Sequence, residues 1–294
     1  MNLIVETDIG HDPDDFFALC YLHSAGINIR AILVTIGHPY QIEITRFFCD
    51  CVGLNIPIGT ATYEKPELKT GGVNFHGRLL GYFKYKNDKP ADGYGCDIIE
   101  ATLKDYPDCQ FFICGPPKNF GSFLKSHPDK NIDNVTVQGG FLSYLLYEPR
   151  IRLQKFEGHL TVPTYNLNGA KNDAQAIIDH KGMQKLSFVS KNICHTVVYD
   201  RERHKFIQSS SLKNKADSLF NTGMSLYLEK HTEKKFHDPT AAVCHVHPEI
   251  ATWFKGKLYN ERGGWGTRKD DACNSRIIAD IDYEALWNCI GNRA

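Results

Sequence analysis

The feature that most constrains this chain is its opening stretch, residues 3–24, LIVETDIGHDPDDFFALCYLHS. A β-branched apolar run at 3–5 is followed by a polar turn containing Gly10. Phe16, Leu19, Cys20 and His23 then recur at helical spacing. The pattern predicts a strand feeding a helix, with Asp14 or Asp15 at the helix N-cap. Four carboxylates, Asp8, Asp12, Asp14 and Asp15, fall within eight residues at the C-terminal end of that strand. Open α/β sheets place their ligands at that edge. Carboxylates this close repel one another unless a proton or a cation intervenes, and hard divalent ions take oxygen ligands. The stretch therefore predicts a Ca²⁺ or Mg²⁺ site at the first strand-to-helix junction. A capped helix with solvated surface charge is the plainer alternative.

The rest of the chain repeats the strand–helix alternation. Residues 31–36 form a second β-like run closed by Gly37, and a helix follows with Ile44, Phe47, Phe48, Cys51 and Val52 on one face, ending at Gly53. Further β-like runs lie at 56–58, 111–114, 135–138, 186–189 and 277–279, with β-like pieces around Trp253 and Tyr259. Helical stretches lie at 97–103, 119–125, 170–180 and 217–228, and a last helix runs to 290. Asp238 can cap one more helix with Pro239 at its first position. This pattern predicts an α/β fold, an open, mostly parallel Rossmann-like sheet flanked by helices. No repeat or linker divides residues 1–294, so a single domain is expected. Residues 62–95, rich in lysine, proline and glycine, and residues 200–236 are expected as flaps or insertions over the site. The KHTEKK run at 230–235 reads as a solvated helix end.

Composition removes several classes. Lys plus Arg equals Asp plus Glu at 34 each, which gives no basic footprint for nucleic acid and no polybasic tail for a membrane. No stretch approaches 18 apolar residues, and no secretory signal precedes the first strand. The ten cysteines are dispersed without a CxxC pair; Cys20, Cys49 and Cys244 sit in apolar runs and read as core, so a reducing, cytoplasmic setting is expected. GxSxG, GxxxxGK[ST], an early GxGxxG and HExxH are all absent. What remains is the acidic cluster at 8–15, NLNG at 166–169 and His237-Asp238. An oxygen-rich cation site, polar groups for a polyol and an acid–base residue suit hydrolysis at a sugar carbon.

These motifs, in order, resemble the inosine-uridine-preferring nucleoside hydrolase family. The family's aspartate, glycine turn and DDxxA are similar to Asp8, Gly10 and the run Asp14-Asp15-Phe16-Phe17-Ala18. Its ATGPLTN segment is similar to Ile113-Cys114-Gly115-Pro116-Pro117-Lys118-Asn119, its glycine pair to Gly139-Gly140, and its EFN segment to Thr164-Tyr165-Asn166. Its HD pair is similar to His237-Asp238, and its GxxTR to residues 264–268.

The resemblance implies Ca²⁺-dependent hydrolysis of a ribonucleoside N-glycosidic bond, giving free base and ribose. It implies metal ligation by Asp8, Asp15, Asp238 and the Cys114 carbonyl, with water and the sugar's vicinal hydroxyls completing the shell. Asp8 takes the proton of the attacking water, and His237 protonates the leaving base, with His11, His38 and His76 as alternatives. Asp14 and Asn166 hold sugar hydroxyls, and the Cys114 thiol only packs. Family members are commonly dimers or tetramers, so a homodimer or homotetramer is expected. Phe75 and Tyr227 are expected to cover the sugar and stack on the base, together with the exposed-looking Tyr82 and Tyr94.

Departures from the family pattern bear on the rim of the site. His11-Asp12-Pro13 makes the first turn two residues longer than the family's, so Asp12 is a candidate for the role given to Asp14 or Asp15. His38 replaces a sugar-binding asparagine. Thr164 replaces a glutamate that family members use on the sugar's 5′ side, and Gln138 replaces a methionine. A hydrolase of a modified nucleoside or another N-glycoside is the second reading, and a non-catalytic metal- or nucleoside-binding homologue the third.

Overall fold

The structure is a computed structural model, and it describes residues 1–10, 12–61, 74–209 and 214–292. Among the described residues, twelve strands order the fold: β1 (Asn2–Thr7), β2 (Asn28–Val34), β3 (Ile58–Thr60), β4 (Gly93–Tyr94), β5 (Gln110–Ile113), β6 (Val135–Gln138), β7 (Leu186–Val189), β8 (Val198–Asp200), β9 (Glu233–Lys235), β10 (Ala251–Glu261), β11 (Gly264–Lys269) and β12 (Ser275–Ile281). Ten form one sheet in the order β11-β10-β12-β7-β6-β5-β1-β2-β3-β4, while β8 and β9 make a separate antiparallel pair. Every neighbouring pair from β12 to β4 is parallel, and β10 and β11 extend that edge antiparallel. The predicted open, mostly parallel α/β sheet is what forms.

The hydrophobic pattern explains why helices cover both faces. Along β1, Leu3 and Val5 join one buried cluster and Ile4 the opposite one, as the two-residue period of a strand requires. The first face packs Phe16, Phe17, Phe47, Phe48, Phe75, Phe220 and Phe236, the second Phe111, Phe120, Phe123 and Leu167. Each such phenylalanine taken from water contributes about 2–3 kcal/mol. Cys20, Cys49 and Cys244 are buried in the first cluster, in line with their apolar surroundings in the sequence.

Several local expectations are corrected. The helix Asp14–Ser24 starts after Pro13 with no side-chain cap, so Asp14 and Asp15 lie inside its first turn. The helix His237–Val246 likewise begins two residues early, with Asp238 in its first turn. Carboxylates there still complement the positive helix end, but their oxygens are left for other partners. The NFHGRLLGYF segment is a helix, Phe75–Phe83, capped by the Asn74 side chain, which accepts from Gly77 N at 3.3 Å. Its Phe75, Leu79 and Leu80 are buried, which glycine content alone had masked. The pieces around Trp253 and Tyr259 are one continuous strand, β10. Residues 62–73 of the expected flap, residues 210–213 and His11 lie outside the described residues.

Candidate active site

Strand order reverses at β1. The chain runs outward through β2, β3 and β4, then returns to lay β5, β6 and β7 on the other side. The crevice beyond β1 and β5 is therefore the topological switch point, where such sheets take ligands. Asp8 leaves β1 there and Cys114 leaves β5. The two strand ends are locked together, with Cys114 N donating to the Glu6 carbonyl at 2.8 Å.

Close approach of these loops depends on Gly115. A Cβ on it would lie 2.5 Å from Asp8 N and 2.7 Å from Thr7 C, inside any tolerable contact. Glu6, buried and given no role by the sequence, anchors the other side. It accepts from Asn119 N (2.7 Å), Asn119 Nδ2 (2.9 Å), Phe120 N (3.0 Å) and Thr35 Oγ1 (2.8 Å), at the start of the helix Lys118–Ser126. Burial outweighs these bonds and raises its pKa to about 7. Gln41 fastens the neighbouring loop: its Nε2 donates to the Asp8 and Thr35 carbonyls, each at 3.0 Å, and its Oε1 accepts from His38 N.

Into this crevice the two helix starts bring carboxylates. Oxygens of Asp14, Asp15 and Asp238, all buried, lie within 4.8 Å of one another. Asp15 accepts from Thr7 Oγ1 at 2.5 Å and from the Cys114 thiol at 3.6 Å. Burial and the Asp14 charge push it up to about 7. Desolvation, with the charges of Asp14 and Asp15, holds Asp238 well above the usual carboxylate range, and Asp8 is raised in the same way. Buried carboxylates this close call for protons or a cation to compensate them, and an oxygen-only set of donors fits a hard divalent cation. The Cys114 carbonyl accepts from Asn166 Nδ2 at 2.9 Å and keeps a second lone pair. Burial raises the Cys114 thiol, in keeping with packing.

Asp8 is half-buried beside this triad rather than one of its three members. Asp12 is displaced from it. Its side chain is 53% exposed and pairs with Lys234 Nζ at 2.7 Å, so the longer turn loops Asp12 outward and leaves Asp14 and Asp15 inside. Lys234 also reaches Asp14 at 3.2 Å. Burial alone would raise Asp14, but Lys234 and His237 outweigh it and hold the carboxyl below its ordinary range. The KHTEKK run is thus corrected: Lys234 sits in β9, buried and ion-paired. A buried apolar flank, Phe236 after EKK, was the one signal for it in the sequence.

His237 is adjacent to Asp238, with its ring 5.0 Å from that of His195 and its Nε2 buried without a hydrogen-bond partner among the described residues. Burial, with the lysines nearby, pulls it down to about 4 against the pull of Asp14, so the ring is neutral at pH 7. Asn166 is buried and bridges the Cys114 carbonyl to the Gln138 side chain, donating to Oε1 at 2.8 Å. His38 caps the helix Pro39–Val52, accepting from Tyr40 N at 3.2 Å, and Tyr40 stacks on both His38 and His76. The exposed Tyr165 phenol, given no role by the sequence, feels the charge of Asp8.

Phe75 and Tyr227 are not exposed. Phe75, 2% exposed, packs on Phe16 and Phe17 in the core, which corrects its expected place over the sugar. Tyr227 is 8% exposed and stacks on His231, with its phenol influenced by Lys234, Asp12 and Asp14. Tyr82 and Tyr94 are exposed. The two expected cover segments meet each other: Arg78, on the helix Phe75–Phe83, donates to the Leu226 carbonyl and pairs with Glu229 at 2.8 Å.

Residues 3–288 match the family described as inosine-uridine preferring nucleoside hydrolase, and the chain belongs to that family. It is an N-glycosyl hydrolase of a metal-dependent kind. Among solved structures, a plant nucleoside hydrolase, the PpNRh1 enzyme, superposes with a TM-score of 0.75 at 18% identity, covering 99% of this chain and 98% of that one. An inosine-uridine preferring nucleoside hydrolase from Bacillus anthracis gives 0.72 at 11% identity, covering 100% and 99%. A purine-preferring ribonucleoside hydrolase from Gardnerella vaginalis gives 0.69 at 16%, covering 100% and 98%. No curated protein matches the chain at a significant level. No helix of the described residues is long and apolar enough to cross a membrane.

Proposed function

We propose that the protein is one catalytic domain that uses Ca²⁺ to hydrolyse the N-glycosidic bond of a ribonucleoside, releasing free base and ribose. The observation that carries this reading is the convergence of Asp14, Asp15 and Asp238 within 4.8 Å at the switch point. Asp8, Asp15, Asp238 and the Cys114 carbonyl would hold the ion. Asp14 is the poorer ligand because Lys234 already compensates it, which frees it, with Asn166, for the sugar hydroxyls. A cation held by these residues would lower the pKa of a bound water and so supply the nucleophile.

The chain's own groups do the rest. Asp8, half-buried and free of any ion pair among the described residues, accepts the water's proton. Asn166 fixes the Cys114 carbonyl and presents its remaining amide oxygen to the sugar. His237, neutral at working pH, donates an N–H to the departing base nitrogen. The His38–Tyr40–His76 stack offers aromatic surface beside the pocket. Dispersed cysteines and the family resemblance support a cytoplasmic homodimer or homotetramer.

The test is a panel of common ribonucleosides, modified nucleosides and other N-glycosides, with free sugar measured, for the wild type and Asp8→Asn. Hydrolysis of at least one ribonucleoside, lost by a factor of about 10² or more in Asp8→Asn, is expected. Silence across the panel with the metal bound would refute the reading. The substitutions at His38, Thr164 and Gln138 favour a second reading, in which the substrate is a modified nucleoside.

A further inference from the structure

Beyond the acidic cluster, on the far side of His237, the charge of the site reverses. Lys155 Nζ donates to His195 Nδ1 at 2.6 Å, and the His195 ring lies 5.0 Å from that of His237. Lys191 opens the short helix Lys191–Cys194 that His195 closes, and its Nζ donates to the Pro163 carbonyl at 2.9 Å. Lys235 ends β9, two residues before His237. The charges of Lys191 and Lys235 reach both histidines, and together with burial they help hold His195 down to about 3. None of Lys155, Lys191 and Lys235 has an ion-pair partner among the described residues, whereas Lys234, next in line, has two. Beside Pro163, Thr164 is 4% exposed, with its hydroxyl lacking a hydrogen-bond partner among the described residues.

We propose that Lys155, Lys191, Lys235 and the Thr164 hydroxyl form a subsite for an anionic group of the substrate, a phosphate on the sugar's 5′ carbon. This rests on the hydrolase reading above and specifies its substrate class as a nucleoside 5′-monophosphate. A neutral nucleoside gives three uncompensated ammonium groups nothing to bind, whereas a phosphate dianion takes several charge-assisted hydrogen bonds at once. Thr164 supports placement at the 5′ side. Pro163 and Thr164 lead directly into Asn166, the proposed sugar ligand, and with the sugar's vicinal hydroxyls turned to the cation the 5′ carbon is the position left for an anion. In the reaction the C1′–N bond breaks and a C1′–O bond forms from water. One water proton passes to Asp8, which later returns it to solvent, and the leaving nitrogen, hydrogen-bonded by His237, takes one proton from solvent, so the products are the free base and ribose 5-phosphate.

The experiment compares kcat/KM of calcium-loaded protein for uridine and inosine, their 5′-monophosphates, and orotidine, which carries its anion on the base. Binding of ribose 5-phosphate is measured by calorimetry alongside. The expected result is a preference for the monophosphates over the nucleosides of roughly tenfold or more. Lys155→Gln/Lys235→Gln should reduce that ratio, and weaken ribose 5-phosphate binding, by a similar factor. Nucleosides hydrolysed as well as or better than their monophosphates would overturn the subsite and leave the hydrolase reading standing. Preference for orotidine over both monophosphates would overturn the 5′ placement. If nothing is hydrolysed with calcium bound, the hydrolase reading fails and the binding arm decides the subsite. Ribose 5-phosphate binding that the double variant weakens supports it, and no binding overturns it.

Discussion

Lys234 shows how one residue sets the balance of the site. Its side chain is only 9% exposed, and it is the one cation in an ion pair with the acidic cluster among the described residues. Removing one partner of a buried pair leaves the other uncompensated. Lys234→Met should therefore destabilise the chelated protein by about 3 kcal/mol, read by denaturant unfolding, and should tighten calcium binding because the cluster gains net negative charge. Unchanged stability in chelator would show the pair to be incidental. Asp8, Asp15 and Asp238 make a second prediction, in pH. Their folded pKa values are raised, Asp15 to about 7, so in the absence of metal they favour folding below the unfolded value of 3.8. For Asp15 that contribution is lost as pH climbs through about 7, and for Asp8 and Asp238 as pH climbs through their own raised values. His237 and His195, lowered to about 4 and about 3, act oppositely, favouring folding above 6.5 and losing that as pH falls. The difference in melting temperature between calcium-loaded and chelated protein largely cancels the histidines and should grow from pH 5 to pH 7.5. A flat difference would mean the carboxylates ionise without the cation.

At the scale of elements, the sequence exposed what is written in local periodicity and hid what depends on distant contacts. The helix Pro39–Val52 and its left-handed Gly53 cap were readable from apolar spacing and a terminal glycine. So were β6 and β7, each a short run rich in β-branched or apolar residues. Phe75–Phe83 was not, since its glycines argue for a loop and only contact with Phe16 and Phe17 secures it. β9 was hidden because EKK alternates nothing apolar, and its partner β8 lies far away in sequence. For the site, Asp14, Asp15 and Asp238 were legible because motif order carried them. Glu6, Lys234, His195 and Lys155 were not, because each acts through a partner remote in the chain. The loop after β5 yields the prediction at this scale. Gly115→Ala should separate that loop from Asp8 N, costing more than about 2 kcal/mol of stability and weakening calcium binding. Gly81→Ala, with open space around it, serves as the control. Calcium affinity equal to wild type in Gly115→Ala would contradict the role given to the close approach.

For the whole molecule, the parallel sheet delivers β1 and β5 side by side at the point where its winding reverses. Helices Asp14–Ser24 and His237–Val246 then pack as neighbours over one face. Residues more than two hundred positions apart thereby share one site, and the apolar clusters on both faces hold it rigid. The opposed charges of the crevice, carboxylates at one end and lysines at the other, follow from that same convergence. The most direct test of the account is free sugar released by chelator-stripped protein, from its best substrate in the panel, as calcium is titrated back. Activity should rise from near background to a plateau at about one equivalent per chain, and Asp15→Asn should stay near background throughout. Full activity of the stripped protein, or activity indifferent to calcium and every other divalent ion, would contradict a metal-dependent hydrolase built on Asp8, Asp15 and Asp238.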